Sequence, residues 1–353
     1  MPADFDSASQ AAAIAALAAL AATALLFLYA LGLRISHILH ARLRLRLQLT
    51  WWPVLADAAV SLEYAQCATL PRLADRHRPE ILRQWCTFRN SVRGASSESL
   101  NILARRTGLL TLARTGLDQR ALGSKLMAVQ AIGLLQDQHS WSAIMALLDH
   151  QSVAMSVTAA TALVDIDAPH AIPVVLPFVC RNDHWPRTQV ARFLANAGAD
   201  VVSGPLCAAI TNGSDDVAAR LLRYSDCIAS GDLNKLVQRL LHERRDPNLL
   251  AAALKAARAL NCADTVIALT RHKVWFVRMQ AASVLGQFGT QDCIRALEPL
   301  MSDPEWWVRY RAAQAIVALP FLGPHALRRL RDRQRDRFAR DMLQQALAER
   351  GVA

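Results

Sequence analysis

The sequence has little glycine and few alternating runs of β-branched residues. Only 14 of its 353 residues are glycine, and 53% are hydrophobic, with alanine and leucine abundant. Alanine and leucine have high helix propensities, whereas strands favour β-branched and aromatic side chains. These shortages argue against a β-sheet protein, and we expect an all-α fold.

Motifs for catalysis and metal binding are also lacking. The sequence contains no Gly-x-Ser-x-Gly, no P-loop and no glycine-rich dinucleotide fingerprint. Its seven cysteines stand singly, without a Cys-x-x-Cys pair, which is typical of reduced thiols rather than a structural zinc site. We therefore predict no catalytic residues, no cofactor and no metal, and expect a protein that is not an enzyme.

An excess of arginine over acidic residues is concentrated in two segments near the ends of the chain. The formal net charge is +11, residues 34–50 contain four arginines and no acid, and residues 328–340 contain seven arginines against two aspartates. A helical-repeat protein that binds nucleic acid is expected to carry positive charge along a continuous groove. This distribution favours contact with a membrane surface, and no nucleic-acid partner is expected.

Residues 11–33 contain no charged side chain, and 23 residues of helix can cross a hydrocarbon core of about 30 Å. After a short segment at residues 1–10, we predict a transmembrane helix over 11–33. Positive residues favour the cytoplasmic side, and Arg34, Arg42, Arg44 and Arg46 all follow the span. We expect a single-pass protein of the inner membrane, with its N-terminus outside and its main domain in the cytoplasm.

Residues 34–78 are predicted to form a basic juxtamembrane helix and a linker. Arginine and leucine alternate from Arg42 to Leu49, so the arginines could contact lipid head groups while the leucines lie in the interface. Trp51 and Trp52 follow. They could anchor at the membrane boundary, or they could pack on the first helix of the next domain, and both alternatives remain open.

The rest of the chain contains an internal repeat. Val308-Arg309 has a counterpart 31 residues earlier at Val277-Arg278, and further counterparts lie near Leu249, Val217, Pro186, Met155 and Ser124. Each position opens the second helix of a predicted helix pair, and a repeated two-helix unit of this length is typical of an α-solenoid. We predict a solenoid of about eight helix pairs over residues 79–320, and arginine-rich capping helices over 321–353.

These repeats resemble the HEAT-repeat family, including its phycobilisome-lyase-like variants in bacteria. The resemblance is carried by Asp303-Pro304, Val308-Arg309, Ala312-Ala313 and Ala315-Ile316, and more weakly by Val277-Arg278 and Ala281-Ala282. The layout as a whole is similar to bacterial membrane-anchored HEAT proteins. This resemblance implies an α-solenoid that serves a membrane enzyme system, of which a surface-polysaccharide glycosyltransferase is one candidate.

The resemblance also implies a structural ladder between repeats, formed by an aspartate at the turn and an arginine six positions later. Asp303 and Arg309 keep this spacing. Arg187 and Arg278 hold the same position as Arg309, but Arg181 and His272 stand where the aspartate would be. Both arginines are therefore expected to be freer to bind a partner.

Four tryptophans stand at the starts of second helices and are expected to follow one rim of the solenoid. Together with the arginines they suggest a partner-binding surface, since tryptophan and arginine dominate interface hot spots, although they could also fill space between helix pairs. The predicted surface comprises Trp185, Arg187, Trp275, Arg278, Trp306, Trp307 and Arg311.

The sequence therefore predicts a membrane-anchored scaffold whose solenoid binds an unknown, membrane-associated protein. Its expected partners are the lipid bilayer and that protein. Two alternatives remain open, namely a HEAT-like lyase or modifying enzyme and a nucleic-acid-binding HEAT solenoid.

Overall fold

The computed structural model describes residues 3–257, 263–288 and 290–351. Throughout these residues the secondary structure is helical and contains no strand, so the all-α prediction is confirmed. The chain divides into two compact units, Met1–Leu135 and Gln136–Ala353.

The first unit is built around one long helix, α1 (Ala3–Val60). Five shorter helices follow it, with a 3-10 turn at Asp75–His77 before the third helix. They are α2 (Leu62–Cys67), α3 (Arg78–Asn90), α4 (Ala95–Arg106), α5 (Leu109–Gly116) and α6 (Leu122–Leu134). A non-helical connection therefore lies between Cys67 and Asp75, within the segment 34–78 that is predicted to contain a linker.

The C-terminal end of α1 forms part of the core of this unit. Its buried side chains are Trp51, Val54, Leu55 and Ala58, at the spacing of one helical face. Trp85 of α3 is fully buried beside them, and its indole nitrogen donates a hydrogen bond of 3.0 Å to the carbonyl of Leu100 in α4. Residues 34–50, within the predicted juxtamembrane segment 34–78, continue α1 without a break.

The second unit consists of helix pairs. The first helix of each pair is α7 (Trp141–Met145), α9 (Ala168–Arg181), α11 (Ala199–Asn212), α13 (Ser230–Glu243), α15 (Ala263–Leu269), α17 (Gln291–Leu297) or α19 (Pro324–Arg333). The second is α8 (Val153–Ile166), α10 (Arg187–Ala197), α12 (Asp215–Leu221), α14 (Pro247–Ala256), α16 (Trp275–Phe288), α18 (Trp306–Ala318) or α20 (Arg337–Glu349). Residues 258–262, which precede α15, lie outside the described part of the chain.

Like helices stack on like helices through this unit. The second helices α12, α14, α16, α18 and α20 pack successively, and the first helices from α9 to α17 do the same. Small residues allow close approach: a Cβ added to Gly286 of α16 would lie 2.9 Å from the Cα of Ala315 in α18. Backbone is therefore nearly in contact with backbone at this crossing, as the alanine-rich faces of the repeat predict.

The arginine-rich run 328–340 is divided between the last two helices. α19 buries only Leu327, whereas α20 buries Ala339, Leu343, Ala346 and Leu347 against the rest of the unit. The final pair thus presents an apolar side inward and a row of arginines outward, which is the arrangement that a terminal repeat needs.

Candidate partner-binding surface

The starts of α16, α18 and α20 are three copies of one local structure. Val277, Val308 and Ala339 stand at 31-residue intervals, and each is fully buried at the beginning of its helix. An arginine follows each of them, namely Arg278, Arg309 and Arg340. Each arginine donates to the backbone carbonyl six residues before it, over 2.8 Å in all three copies.

The arginines also connect one repeat to the next. The Nε and Nη2 of Arg278 donate to the two carboxylate oxygens of Asp303 over 2.7 and 2.8 Å. Only 13% of the Arg278 side chain and 7% of the Asp303 side chain are exposed. Asp303 accepts a third hydrogen bond, of 2.9 Å, from the backbone amide of Glu305, so that its carboxylate also fixes the turn before α18.

The inference that Arg278 lacks an acidic partner is therefore wrong. It rested on His272, which stands six residues earlier where another repeat has aspartate. The carboxylate comes from the following repeat, 25 residues later in the chain. The hydrogen bonds that Arg278 donates to Asp303 raise the pKa of Arg278 above its ordinary value, so this guanidinium is a structural cation.

Between α18 and α20 an aromatic ring takes the place of the carboxylate. Gln334 stands 31 residues after Asp303, and Arg309 has no bidentate acid there. The Nε of Arg309 is buried without a hydrogen-bond partner, while its guanidinium carbon lies 5.3 Å from the centre of the Phe338 ring. This distance is within the range of a cation–π contact, which holds the Phe338 ring at the start of α20.

Trp185 does not belong to the exposed surface. Only 4% of it is exposed, and its ring meets Phe193 of α10 edge to face at 6.4 Å between centroids. The predicted exposure of Trp185 is thus corrected, and the space-filling alternative holds for this residue.

Arg187 remains available. Its side chain is exposed, and no hydrogen bond or ion pair engages it within the described part of the chain. Burial raises the pKa of Tyr224, and the positive charges of Arg223, Arg187 and Arg220 act against that increase. Arg187 therefore lies in a locally positive region of unit 2.

The other three tryptophans are exposed, and so is a phenylalanine that the sequence analysis did not single out. The exposed fractions are 37% for Trp275, 39% for Trp306, 55% for Trp307 and 62% for Phe338. We call these four side chains the aromatic row. Phe338 lies 31 residues after Trp307, so extending the repeat into the arginine-rich run would have found it.

Trp306 and Trp307 of the aromatic row are held by contacts with neighbouring side chains. Trp306 stacks on Tyr310 with centroids 5.0 Å apart and meets Trp307 edge to face at 4.8 Å. The hydroxyl of Tyr310 donates to the carboxylate of Glu349 at the end of α20, over 2.9 Å to the nearer oxygen. These contacts hold the rings in fixed positions before any partner arrives, which lowers the entropic cost of binding.

Arg311, predicted to contribute to the surface, is exposed one turn into α18. Its guanidinium donates to the side-chain oxygen of Gln314 over 3.0 Å, a contact on its own helix that a partner could replace. Arg311 therefore lies one helical turn after Trp307 on the same helix, and its charged group is exposed to solvent.

The residues predicted at the membrane interface divide into two groups. Arg34, Arg42, Arg44 and Arg46 are exposed along α1, and Arg44 lies 4.0 Å from Glu80 of α3. Trp51 is buried in the core of the first unit, so of its two alternatives the packing one holds. Trp52 is exposed and its ring meets that of Phe88 edge to face at 6.2 Å.

Upstream of these residues, the described side chains of α1 are exposed. Between Thr23 and Val60 it contains a stretch long and apolar enough to cross a membrane, and none of that stretch is buried in the protein. An apolar helix within a soluble core would be largely covered, whereas here Leu25, Leu26, Phe27 and Leu28 are all exposed.

Among the described residues, no three or more neighbouring His, Cys, Asp or Glu side chains form a group that could hold a metal ion. Among the thiols, burial raises the pKa of Cys86 to about 12, so this cysteine is a protonated core residue.

The comparisons with known proteins identify the repeat type. Residues 263–348 match the family model for HEAT repeats. This stretch runs from α15 to α20 and includes all four residues of the aromatic row. No curated protein matches the chain.

One solved structure shows the same type of fold over a longer region. The crystal structure of Kap121p matches with a TM-score of 0.50 at 16% identity, and the match covers 84% of this chain and 37% of Kap121p. The chain thus spans little more than a third of that protein, and the likeness concerns the fold alone. An engineered protein matches with a TM-score of 0.32 at 15% identity, covering 84% of this chain and 88% of its own. Residues 263–348 therefore match HEAT repeats, and the chain over a longer region resembles a helical solenoid.

Proposed function

We propose that the chain is a membrane-anchored scaffold that binds a protein partner through the aromatic row of its second unit. The observation that carries this proposal is the exposure of Trp307 and Phe338 on a braced surface. Exposed aromatic rings lose contact with water when a partner covers them, and tryptophan is the residue most enriched among interface hot spots. Rings that filled space between helix pairs would be covered already, as Trp185 is.

The exposed apolar part of α1 supports the membrane anchor. A helix of this length and composition is unfavourable in water and stable in a bilayer, and Arg34, Arg42 and Arg46 follow its most apolar section. In this arrangement the N-terminus lies outside and the repeats lie in the cytoplasm of a bacterial cell. Anchoring raises the effective concentration of the repeats for a membrane-associated partner.

The topology is tested with reporter fusions at residue 353 and in front of residue 3. A cytoplasmic reporter is expected to be active at the C-terminal position, and an extracytoplasmic reporter at the N-terminal one. Activity of the extracytoplasmic reporter at residue 353 would contradict the proposed orientation. Recovery of the chain in the soluble fraction would contradict the anchor.

The partner surface is tested by placing a photo-crosslinking amino acid at position 307 and, as a control, at position 321. Phe321 is similarly exposed, but it follows the other end of α18, about 20 Å away along a helix of 13 residues. We expect protein adducts from position 307 in membranes and none of the same mass from position 321. Equal adducts from both positions would show non-specific contact and refute the proposal.

The resemblance implies a membrane enzyme system, of which a surface-polysaccharide glycosyltransferase is one candidate. Proteins crosslinked from position 307 are therefore compared first with this class. The two alternatives have separate readouts. A lyase or modifying enzyme predicts a bound chromophore or covalent turnover in purified protein. A nucleic-acid role predicts binding that weakens steeply with salt.

A further inference from the structure

The aromatic row has a spacing that is set by helix packing. Its side chains form three stations, which are Trp275 on α16, Trp306 with Trp307 on α18, and Phe338 on α20. These helices pack side by side, and packed helix axes lie about 8–10 Å apart. A partner that contacts all three stations must therefore present apolar groups at intervals of about 10 Å.

A helix provides this interval with its own backbone satisfied. Residues seven positions apart lie on one face and are separated by about 10.5 Å along the helix axis. An extended segment would need hydrogen-bond partners for its amides, and the described part of unit 2 offers no strand edge on which to form them. The surface is thus better suited to a helical partner than to an extended one.

The charged groups near the row in the chain are predominantly positive. Five exposed cations stand within a few residues of it: Arg271, Lys273, Arg311, Arg337 and Arg340. Arg311 and Arg340 donate hydrogen bonds to the side chain of Gln314 and the carbonyl of Gln334, and Arg337 lies 3.8 Å from Asp341. Contacts between exposed groups are weak, so these charges can still meet a partner.

Most of the nearby acids are already engaged. Asp303 binds Arg278, and Glu349 binds Tyr310. Asp336 accepts hydrogen bonds from Ser302 and from the backbone of Phe338, which lower its pKa. Glu305 is exposed and faces the charge of Arg278. A partner helix with acidic residues beside its apolar stripe complements these positive charges.

We propose that the aromatic row binds an acidic amphipathic helix of a partner protein, which lies across α16, α18 and α20 and places an apolar side chain on each station. The inference rests on the proposed scaffold function and adds the chemical class of the partner. Three stations at a fixed interval favour a helix over an anionic bilayer, because a bilayer surface requires no interval.

The test uses designed peptides and the full chain in detergent micelles. The probe peptide is a helix of about 22 residues with leucine at every seventh position and glutamate beside the leucines. One comparison peptide has the central leucine moved to the opposite face, and another has lysine in place of glutamate. Affinity is measured by fluorescence anisotropy.

We expect the probe to bind at least about tenfold more tightly than either comparison peptide at physiological salt. Trp307→Ala should weaken the probe by about thirtyfold, as truncating a hot spot of ~2 kcal/mol does, while Phe321→Ala should leave it unchanged. Circular dichroism confirms that both variants remain folded. Equal affinity for the three peptides, or equal losses in the two variants, would overturn the inference.

The outcome is distinguishable from a failure of the scaffold function. If position 307 crosslinks to a protein in membranes but the probe shows no preference, the scaffold stands and the helical, acidic partner class is rejected. Adducts of position 307 with lipid alone, together with no preference for the probe, would assign the aromatic row to the bilayer surface and overturn both.

Discussion

Replacing Asp303 by asparagine tests the ion pair between Arg278 of α16 and Asp303, which precedes α18; we call this pair the rung. The substitution keeps an oxygen that can accept from the amide of Glu305, so the turn before α18 keeps its hydrogen bond. It removes the charge that Arg278 binds through two hydrogen bonds of 2.7 and 2.8 Å. The variant therefore removes the ion pair but keeps the hydrogen bond that fixes the turn.

The cost follows from burial. Breaking a buried ion pair by removing one partner costs about 3–5 kcal/mol, because the other charge loses its compensation. Arg278 keeps two acceptors in the variant, since its Nη1 also donates to the carbonyls of His272 and Lys273 over 2.8 and 3.1 Å. We therefore expect Asp303→Asn to lower the free energy of opening α16 and α18 by about 2–3 kcal/mol, below the full range.

Native-state hydrogen exchange of peptides from α16 and α18 measures this free energy directly. Asp292→Asn is the matched control, because Asp292 pairs with Arg295 at 3.5 Å while both side chains are largely exposed. Exposed pairs contribute about 0–1 kcal/mol, so the control should change little. If both variants lost less than about 0.5 kcal/mol, the rung would be no stronger than a surface pair and the structural role of Asp303 would be refuted.

Two further predictions concern packing and pH. Gly286→Ala should destabilise the second unit by about 1–2 kcal/mol in urea unfolding, because its Cβ would lie 2.9 Å from the Cα of Ala315 and the clash exceeds the gain in helix propensity. Gly231→Ala, whose Cβ meets nothing within 4 Å, should be neutral or stabilising, and equal effects of the two would contradict the close crossing. Hydrogen bonds from Tyr310 and Gln314 lower the pKa of Glu349, so their contribution is present above its ordinary pKa and is lost as the pH falls below it. Protection of α20 from proteolysis in the native chain should therefore decrease as the pH falls below the ordinary pKa of glutamate, and Glu349→Gln should remove much of that dependence.

Local sequence rules predicted the helix pairs because the signals that start and stop these helices are local. Asp246 precedes Pro247, and its side chain accepts from the amide of Leu249 over 2.8 Å, as expected for an N-cap before a proline. The buried alanines of α18, Ala312 and Ala313, likewise follow from helical spacing. A single helix is enough to specify such features.

The rung and the exposed rings could not be predicted in the same way, since they depend on neighbouring helices. Trp185 and Trp307 hold equivalent repeat positions, yet one is buried and the other exposed. Eight residues after Trp185 stands Phe193, whose ring covers it, whereas the residue eight positions after Trp307 is Ala315. Ala315 is already covered by Gly286 of the preceding repeat, and an alanine offers no ring for Trp307 to pack on.

The rung and the aromatic row act on the same short segment of chain. Asp303 fixes the turn from which Trp306 and Trp307 project. Arg309 donates a hydrogen bond to the backbone carbonyl of Asp303 in that turn and also contacts the ring of Phe338. A looser turn would let the rings sample more positions, and a partner would have to order them on binding. Asp303→Asn should consequently weaken partner binding at temperatures where the unit is still folded, although Asp303 is buried and contacts no partner. The loss should be smaller than that of Trp307→Ala, since contacts are disordered rather than removed, and binding that is unaffected by Asp303→Asn would separate the rung from the function of the aromatic row.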